Sequence, residues 1–180
     1  MKAAYTQRVQ VGHGAIAWAI VAVIACGIAV LIFAAPLAQA HGNDLFALEV
    51  YRFFSHVCHQ APDRSFHLAG FQLAVCARCT GLYLGIGLAA GFYPLVRSLK
   101  NTDTLPCVWL FAAAAPMAVD FYFDYLGIWH NTHVSRFLTG ILLGATTMFY
   151  IIPGFLQVST SYRWKKKIMT ERPKGRLKQA

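Results

Sequence analysis

Charge is scarce in this sequence, and acidic residues are the scarcest of the charged types. Aspartate and glutamate account for 7 of 180 residues, and 13% of the chain is charged against 57% hydrophobic. An ordinary soluble domain carries about 25% charged residues, so this composition indicates an integral membrane protein instead. The sequence also lacks an internal repeat, a phosphate-binding glycine loop, a Cys-x-x-Cys-His haem attachment and any recognisable nucleophile–base motif. Whether the protein is an enzyme therefore stays open.

Four apolar segments are long enough to cross a bilayer, which needs about 20 residues of helix. They cover residues 15–35, 80–96, 105–126 and 134–158. Runs of this length satisfy their backbone groups in lipid as helices. The sequence therefore predicts an all-α polytopic membrane protein, a bundle of four transmembrane helices. Residues 1–158 form its single membrane domain, and residues 159–180 form a basic cytoplasmic tail.

The N-terminal segment also resembles a signal peptide. Ala38-Gln39-Ala40 has the small-residue pattern of a cleavage site. The apolar run before it is about 21 residues, longer than the usual apolar core of a signal peptide, which favours an uncleaved first helix.

Lysine and arginine are unevenly distributed, and this asymmetry predicts the orientation. Most of the sixteen basic residues lie before the first span, between the second and third, or after the fourth. By the positive-inside rule both termini are cytoplasmic, and loops 36–79 and 127–133 face outward. We expect a bacterial inner-membrane protein whose Cys/His loop is periplasmic or extracellular. The bilayer is its first partner, with anionic lipids at the basic tail; no nucleic-acid partner is expected.

The outer loop begins with signals for a short helix. Asn43 or Asp44 can cap a helix that runs to about Val57 and that Pro62 ends. Its apolar residues cover more than one face, so it could lie in the membrane interface or pack on the bundle. Residues 63–65 indicate a turn, and residues 66–75 an extended return to the second span.

Three of the five cysteines, Cys58, Cys76 and Cys79, lie in this loop. Cys-x-x-Cys is the spacing at which one turn presents two thiolates to a tetrahedral metal ion. Cys58 would be the third ligand and His59 the fourth, with His56, His130 or His133 as possible substitutes. Zinc is the ion expected for sulfur and nitrogen ligands, and copper or iron is possible.

Two other hypotheses for the cysteines stay open. Cys76 and Cys79 could serve a membrane thiol–disulfide oxidoreductase that passes electrons to a quinone, since a helix N-terminus and Arg78 both lower a thiol pKa. The odd number of cysteines in the loop leaves no second pair as a relay. Alternatively two cysteines form a structural disulfide in an oxidising compartment. The protein could then be a non-enzymatic assembly or accessory subunit with a membrane-protein partner.

Ionisable residues inside spans usually face the bundle interior and a partner. Asp120 and Asp124 are four residues apart and share a helix face, and Arg78 and Arg136 are their natural partners. Structural ion pairing and a substrate or proton role both remain possible. The predicted polar or substrate-facing cluster comprises Gln60, Arg64, Arg78, Asp120, Asp124, His130, His133 and Arg136.

Glycines recur at four-residue spacing in two of the spans. The second span contains Gly81-x-x-x-Gly85 and Gly87-x-x-x-Gly91, and the fourth contains Gly140-x-x-x-Gly144. Such spacings predict close helix packing rather than a ligand site.

Several of these elements together resemble a family of small predicted bacterial membrane proteins, catalogued as a domain of unknown function. The elements are Cys-His-Gln at 58–60, Arg-Ser-Phe at 64–66, Cys-x-Arg-Cys-x-Gly at 76–81 and Arg-x-x-Thr-Gly at 136–140. The resemblance covers roughly residues 50–150 and implies a polytopic membrane protein without an established activity. The matching positions are Cys58, His59, Gln60, Arg64, Cys76, Arg78, Cys79, Asp120 and Arg136. The run from His130 to His133 departs from the family pattern.

Overall fold

A computed structural model describes the backbone of residues 11–171 and the side chains of residues 14–159. Five helices account for most of it: α1 (Val11–Ala40), α2 (Asp44–Ser55), α3 (Ala77–Val96), α4 (Val108–Tyr125) and α5 (His133–Glu171). Between α2 and α3 lie a single 3₁₀ turn (Pro62–Arg64) and a hairpin of two short strands, β1 (His67–Leu68) and β2 (Phe71–Gln72). The predicted all-α class is confirmed apart from this hairpin.

Within the described residues, three helices are long and apolar enough to cross a membrane. They are the segments Gly14–Ala40, Ala77–Val96 and His133–Ser159. Helix α4, which corresponds to the predicted third span, is not among them; it is 18 residues long and carries Asp120 and Asp124. A polytopic membrane protein is therefore supported, while a fourth span stays a prediction. The basic side chains of the predicted tail lie outside the described residues.

Helices α3 and α5 pack backbone to backbone, as their glycines predict. A Cβ atom at Gly81 or Gly85 would overlap the carbonyl oxygen of Phe137 or Ile141 on α5. In return, a Cβ at Gly140 or Gly144 would overlap the carbonyl oxygens of Arg78 and Leu82 on α3. Four glycines thus bring the two helices together at a distance that no larger residue allows.

The other glycine pair of α3 has a different setting. Gly87 faces α1, with the Cβ of Ala29 at 3.6 Å from where its own Cβ would lie, which is ordinary van der Waals contact. A Cβ at Gly91 would meet no described atom within 4 Å. Close approach is confirmed for the α3–α5 glycines, whereas Gly91 takes no part in it.

The bundle has one apolar core near each end. The core near the α3–α4 loop joins α1, α3 and α5 through Ala25, Ala90, Tyr93 and Ile152. The core at the opposite end joins α1, α2 and the hairpin segment through Ile32, Phe54, Leu73 and Val75, and it also contains Cys58. The outer loop of the sequence prediction is therefore folded onto the ends of α1 and α2.

Helix α2 begins where the sequence predicts, because Asn43 Oδ1 accepts a hydrogen bond from the Phe46 amide (3.3 Å). The helix ends at Ser55, two residues before the predicted last residue Val57 and well before Pro62. The amides of Val57 and Cys58 both donate to the Phe54 carbonyl, which turns the chain and directs Cys58 into the core.

Candidate metal centre

The three thiols that lie between residues 58 and 79 converge. The Sγ atoms of Cys58, Cys76 and Cys79 all lie within 4.8 Å of one another, and none of the three cysteines forms a disulfide. Cys58 comes from the turn after α2, Cys76 caps the N-terminus of α3, and Cys79 lies in the first turn of α3. Cys58 is only 6% exposed, while Cys76 and Cys79 are half-buried. Three thiols in this arrangement could hold a metal ion.

Gln60 holds the Cys58 turn beside the start of α3. Its backbone is left-handed, with φ of 50°, and its amide Nε2 donates to the carbonyls of Tyr51 (2.8 Å) and Ala74 (2.7 Å). Gln72 Nε2 donates in turn to the Gln60 carbonyl (2.6 Å). Ala74 precedes Cys76 by two residues, so these bonds fix the separation of the cysteine-bearing segments.

The hairpin supplies the return path between the two segments. His67 pairs with Gln72 and Leu68 with Phe71, which leaves Ala69 and Gly70 as a two-residue loop with φ of 53° and 84°. Positive φ at both loop residues is the signature of a type I′ turn, whose twist matches that of the strands. The predicted extended return over residues 66–75 is confirmed for the strand residues only.

The cluster favours the ionised form of Cys76. Hydrogen bonds from the side chains of Cys58 and then Cys79 hold the pKa of the Cys76 thiol well below its usual range. The Cys76 amide also donates to Cys58 Sγ at 3.3 Å. Because the thiolate is both the metal ligand and the nucleophile, this lowering suits metal binding and thiol exchange alike.

A second group of charges lies next to the thiols and joins α3, α4 and α5. Arg78 Nη2 is 2.8 Å from Asp120 Oδ2, and Arg136 Nη2 is 3.6 Å from Asp124 Oδ2. Arg78 and Arg136 are the partners that the sequence predicts for the two aspartates. The Asp120 side chain is 10% exposed and that of Arg78 24%. The lowered pKa of Cys76 arises mainly from the thiol hydrogen bonds, and Arg78 contributes through its backbone rather than through the guanidinium charge that the sequence suggested.

Asn131 belongs to this group and was missed from the sequence. Its Nδ2 donates to the Asp120 carbonyl and to Asp120 Oδ2, both at 3.2 Å, and its amide donates to Asp124 Oδ1 at 3.2 Å. An asparagine in the loop between α4 and α5 gives no local signal. Only its position between two aspartates on one side and Arg136 on the other could have suggested it.

The remaining predicted site residues lie apart from the thiols. The imidazole of His59 is exposed and is not part of the thiol cluster. Arg64 is exposed and pairs with its neighbour Asp63 at 3.4 Å. His130 Nδ1 is 3.8 Å from Asp124 Oδ1, but its side chain is 92% exposed. The ring of His133 lies 5.6 Å from that of Phe66.

Comparison with known proteins places this arrangement in a family. Residues 58–150 match the family model described as "Predicted membrane protein (DUF2085)", a segment that contains the three cysteines and both ion pairs. An uncharacterized protein of Methanocaldococcus jannaschii is 39% identical over 110 residues, which cover 61% of this chain and 70% of that protein. An uncharacterized protein of Methanothermobacter thermautotrophicus is 32% identical over 91 residues, 51% of this chain and 80% of the relative. No solved structure matches the chain. Both relatives are archaeal, so the predicted bacterial inner membrane gains no support from them.

Proposed function

This chain belongs to the family of predicted membrane proteins DUF2085, and from that premise we propose that it binds a thiophilic metal ion, with zinc expected, through Cys58, Cys76 and Cys79. One observation carries the proposal: three reduced thiols from two separate segments lie within 4.8 Å of one another. Zinc and other soft ions bind such sulfur sets, and the ionised form of Cys76 that its neighbours favour is the form that coordinates.

We place the site on the outer side of a four-helix membrane domain with both termini inside. Arg97 and Lys100 follow α3 at the end opposite to the cysteines, as the positive-inside rule expects for an inner loop. The charges of α4 are compatible with a fourth span, because Asp120 and Asp124 are both paired with arginines of the bundle. In this arrangement Arg78, Asp120, Asn131, Asp124 and Arg136 form a polar layer beside the metal site.

Elemental analysis of the detergent-purified protein, with a thiol titration on the same sample, tests the metal proposal. We expect about one metal ion per chain, as a three-cysteine site requires, and no thiol that appears only after reduction. Cys58→Ser and Cys76→Ser should each lose the metal. Cys107→Ser is the matched control, because Cys107 is exposed at the start of α4 and should leave the metal content unchanged.

A thiol–disulfide function is the second candidate, and the low pKa of Cys76 beside two other thiols favours it. In that reaction two cysteines would form a disulfide and pass two electrons and two protons to a quinone. A metal-free protein with two thiols that appear only after reduction would contradict the metal proposal. Dependence of that disulfide on added quinone would then separate redox exchange from a structural disulfide. A protein with neither metal nor disulfide would leave the accessory-subunit hypothesis.

A further inference from the structure

The cysteine cluster supplies three donors, whereas zinc in proteins takes four ligands. Structural zinc sites are closed by a fourth protein ligand, and sites that do chemistry keep the fourth position for a molecule from outside. Among the histidine, cysteine and acidic side chains of the described residues, the group that converges contains Cys58, Cys76 and Cys79 and no fourth member. The identity of the fourth ligand therefore decides what kind of site this is.

The histidines that the sequence offered as fourth ligands make other contacts or are exposed, and none of them belongs to the thiol cluster. The Nδ1 of His56 lies 2.9 Å from the carbonyl oxygen of Arg52. His130 lies beside Asp124, and the ring of His133 lies against Phe66. His59 follows Cys58 directly, but its imidazole is exposed. Both aspartates near the site are occupied by arginines.

We propose that the metal ion keeps its fourth position for a small thiol supplied from outside the protein; this rests on the metal site proposed above. Three thiolates bring three negative charges to a divalent ion, which makes the ion soft and weakens its ability to ionise a bound water. Sulfur is the donor that such an ion accepts best. Binding forms one metal–sulfur bond, the thiol proton passes to solvent, and no electrons are transferred.

The surroundings of the cluster restrict the direction from which a ligand can approach and stabilise its charge. Cys58 belongs to a cluster of buried apolar residues that includes the fully buried Phe54 and Val75. A ligand can therefore approach only from the side of the half-buried Cys76 and Cys79. Both of these residues lie at the N-terminus of α3, where the helix dipole stabilises negative charge. A further thiolate at this end of the helix is therefore tolerated electrostatically.

Cobalt(II) substitution tests the inference, because the optical spectrum of cobalt reports both coordination number and the number of bound sulfurs. Anaerobic protein loaded with Co²⁺ is titrated with β-mercaptoethanol and, as the matched oxygen control, with ethylene glycol. We expect saturable growth of the sulfur-to-cobalt charge-transfer band by roughly one third, since the sulfur count rises from three to four. Ethylene glycol should have no effect, and cobalt content should stay constant.

A spectrum that β-mercaptoethanol leaves unchanged, on protein that holds one cobalt, would overturn the inference while the metal site stands. Release of cobalt by the thiol would overturn it too. Failure to bind cobalt at all, with zinc also absent, would instead remove the metal site itself. His59→Ala tests whether a protein side chain fills the fourth position. We expect its spectrum to match that of the unmodified protein, both before and after thiol addition. A changed starting spectrum in His59→Ala would show that His59 fills the fourth position.

Discussion

At the scale of single residues, Gln60 shows what the sequence could and could not reveal. Its place beside Cys58 and His59 marked it for the polar cluster, but its side chain donates to two backbone carbonyls instead. Those carbonyls belong to Tyr51 and Ala74, which lie 9 and 14 residues away. Hydrogen bonds between distant segments leave no periodic pattern, whereas the Cys-x-x-Cys spacing is local and predicted two of the three clustered thiols directly.

Gln60→Glu is the sharpest test of this positioning role, because it replaces the donor amide with a carboxylate of the same shape. The carboxylate would face two carbonyl oxygens, which disfavours its charged form and raises its pKa above the usual value of about 4.3. Below the unfolded-state pKa the protonated group can still donate. The stabilising bond is lost as the pH rises through the higher folded-state pKa.

We therefore expect thermal unfolding in detergent to show a larger loss of stability at about pH 8 than at about pH 5, by roughly 1–2 kcal/mol, because the protonated acid keeps one hydrogen bond that the carboxylate loses. Metal content should fall in parallel. Arg64→Gln is the control, since the Arg64 side chain is 55% exposed and pairs only with its neighbour. A pH-independent effect of Gln60→Glu would mean that the Gln60 amide does not hold the loop.

Asp120→Asn tests how much the Arg78–Asp120 ion pair contributes to stability. The change leaves the Arg78 charge without its partner in a largely buried setting. We expect a loss of about 2–3 kcal/mol, less than the roughly 3–5 kcal/mol for a fully buried pair because Arg78 retains some solvent contact. Chemical or thermal unfolding measures it. Asp63→Asn, which removes an exposed pair, should cost less than about 0.5 kcal/mol. Equal effects of the two changes would contradict the structural role of the Arg78–Asp120 pair.

At the scale of helices, the sequence is most informative where a pattern is long or a spacing is fixed. The spans at 15–35, 80–96 and 134–158 correspond to α1, α3 and α5, and glycine spacing indicated the α3–α5 contact. The ends are less predictable, since α5 runs on to Glu171, past the predicted apolar span that ends at Val158. The hairpin could not be predicted from the sequence, because strands of two residues are too short to show an alternating pattern. Its turn gives no signal either, since Ala69 adopts a positive φ that alanine rarely adopts.

The α3–α5 contact can be tested with two glycines, one at the helix contact and one away from it. In Gly144→Ala the new methyl group would overlap the carbonyl of Leu82, so the helices must separate. We expect a loss of roughly 1–3 kcal/mol, the usual cost of overpacking. In Gly91→Ala the methyl group meets open space, and alanine's higher helix propensity should leave stability equal or up to about 1 kcal/mol higher. Circular dichroism during thermal unfolding compares them; a stable Gly144→Ala would mean that the close approach is not required.

At the scale of the whole molecule, α4 decides the topology. It buries Ala113 alone among its residues, and its carboxylates are held by arginines of α3 and α5 at one end. Length and hydropathy alone therefore identify three spans. Whether α4 is a fourth span depends on whether these ion pairs neutralise its carboxylates inside the membrane. A helix whose polar residues are neutralised by its neighbours can cross a bilayer that its own sequence only marginally suits.

Cysteine labelling across α4 tests whether it crosses. One variant keeps Cys107, before α4, and has the other four cysteines replaced by alanine. A second variant also replaces Cys107 and carries His130→Cys, in the loop after α4, where the side chain is 92% exposed. With a membrane-impermeant maleimide on intact cells we expect labelling at position 130 but not at 107, and labelling of both after permeabilisation. We expect this result because the positive-inside rule assigns the loop that contains Arg97 and Lys100, and with it Cys107, to the inner side. Labelling of both positions from the same side would show that α4 does not span, and would leave three crossings with the termini on opposite sides.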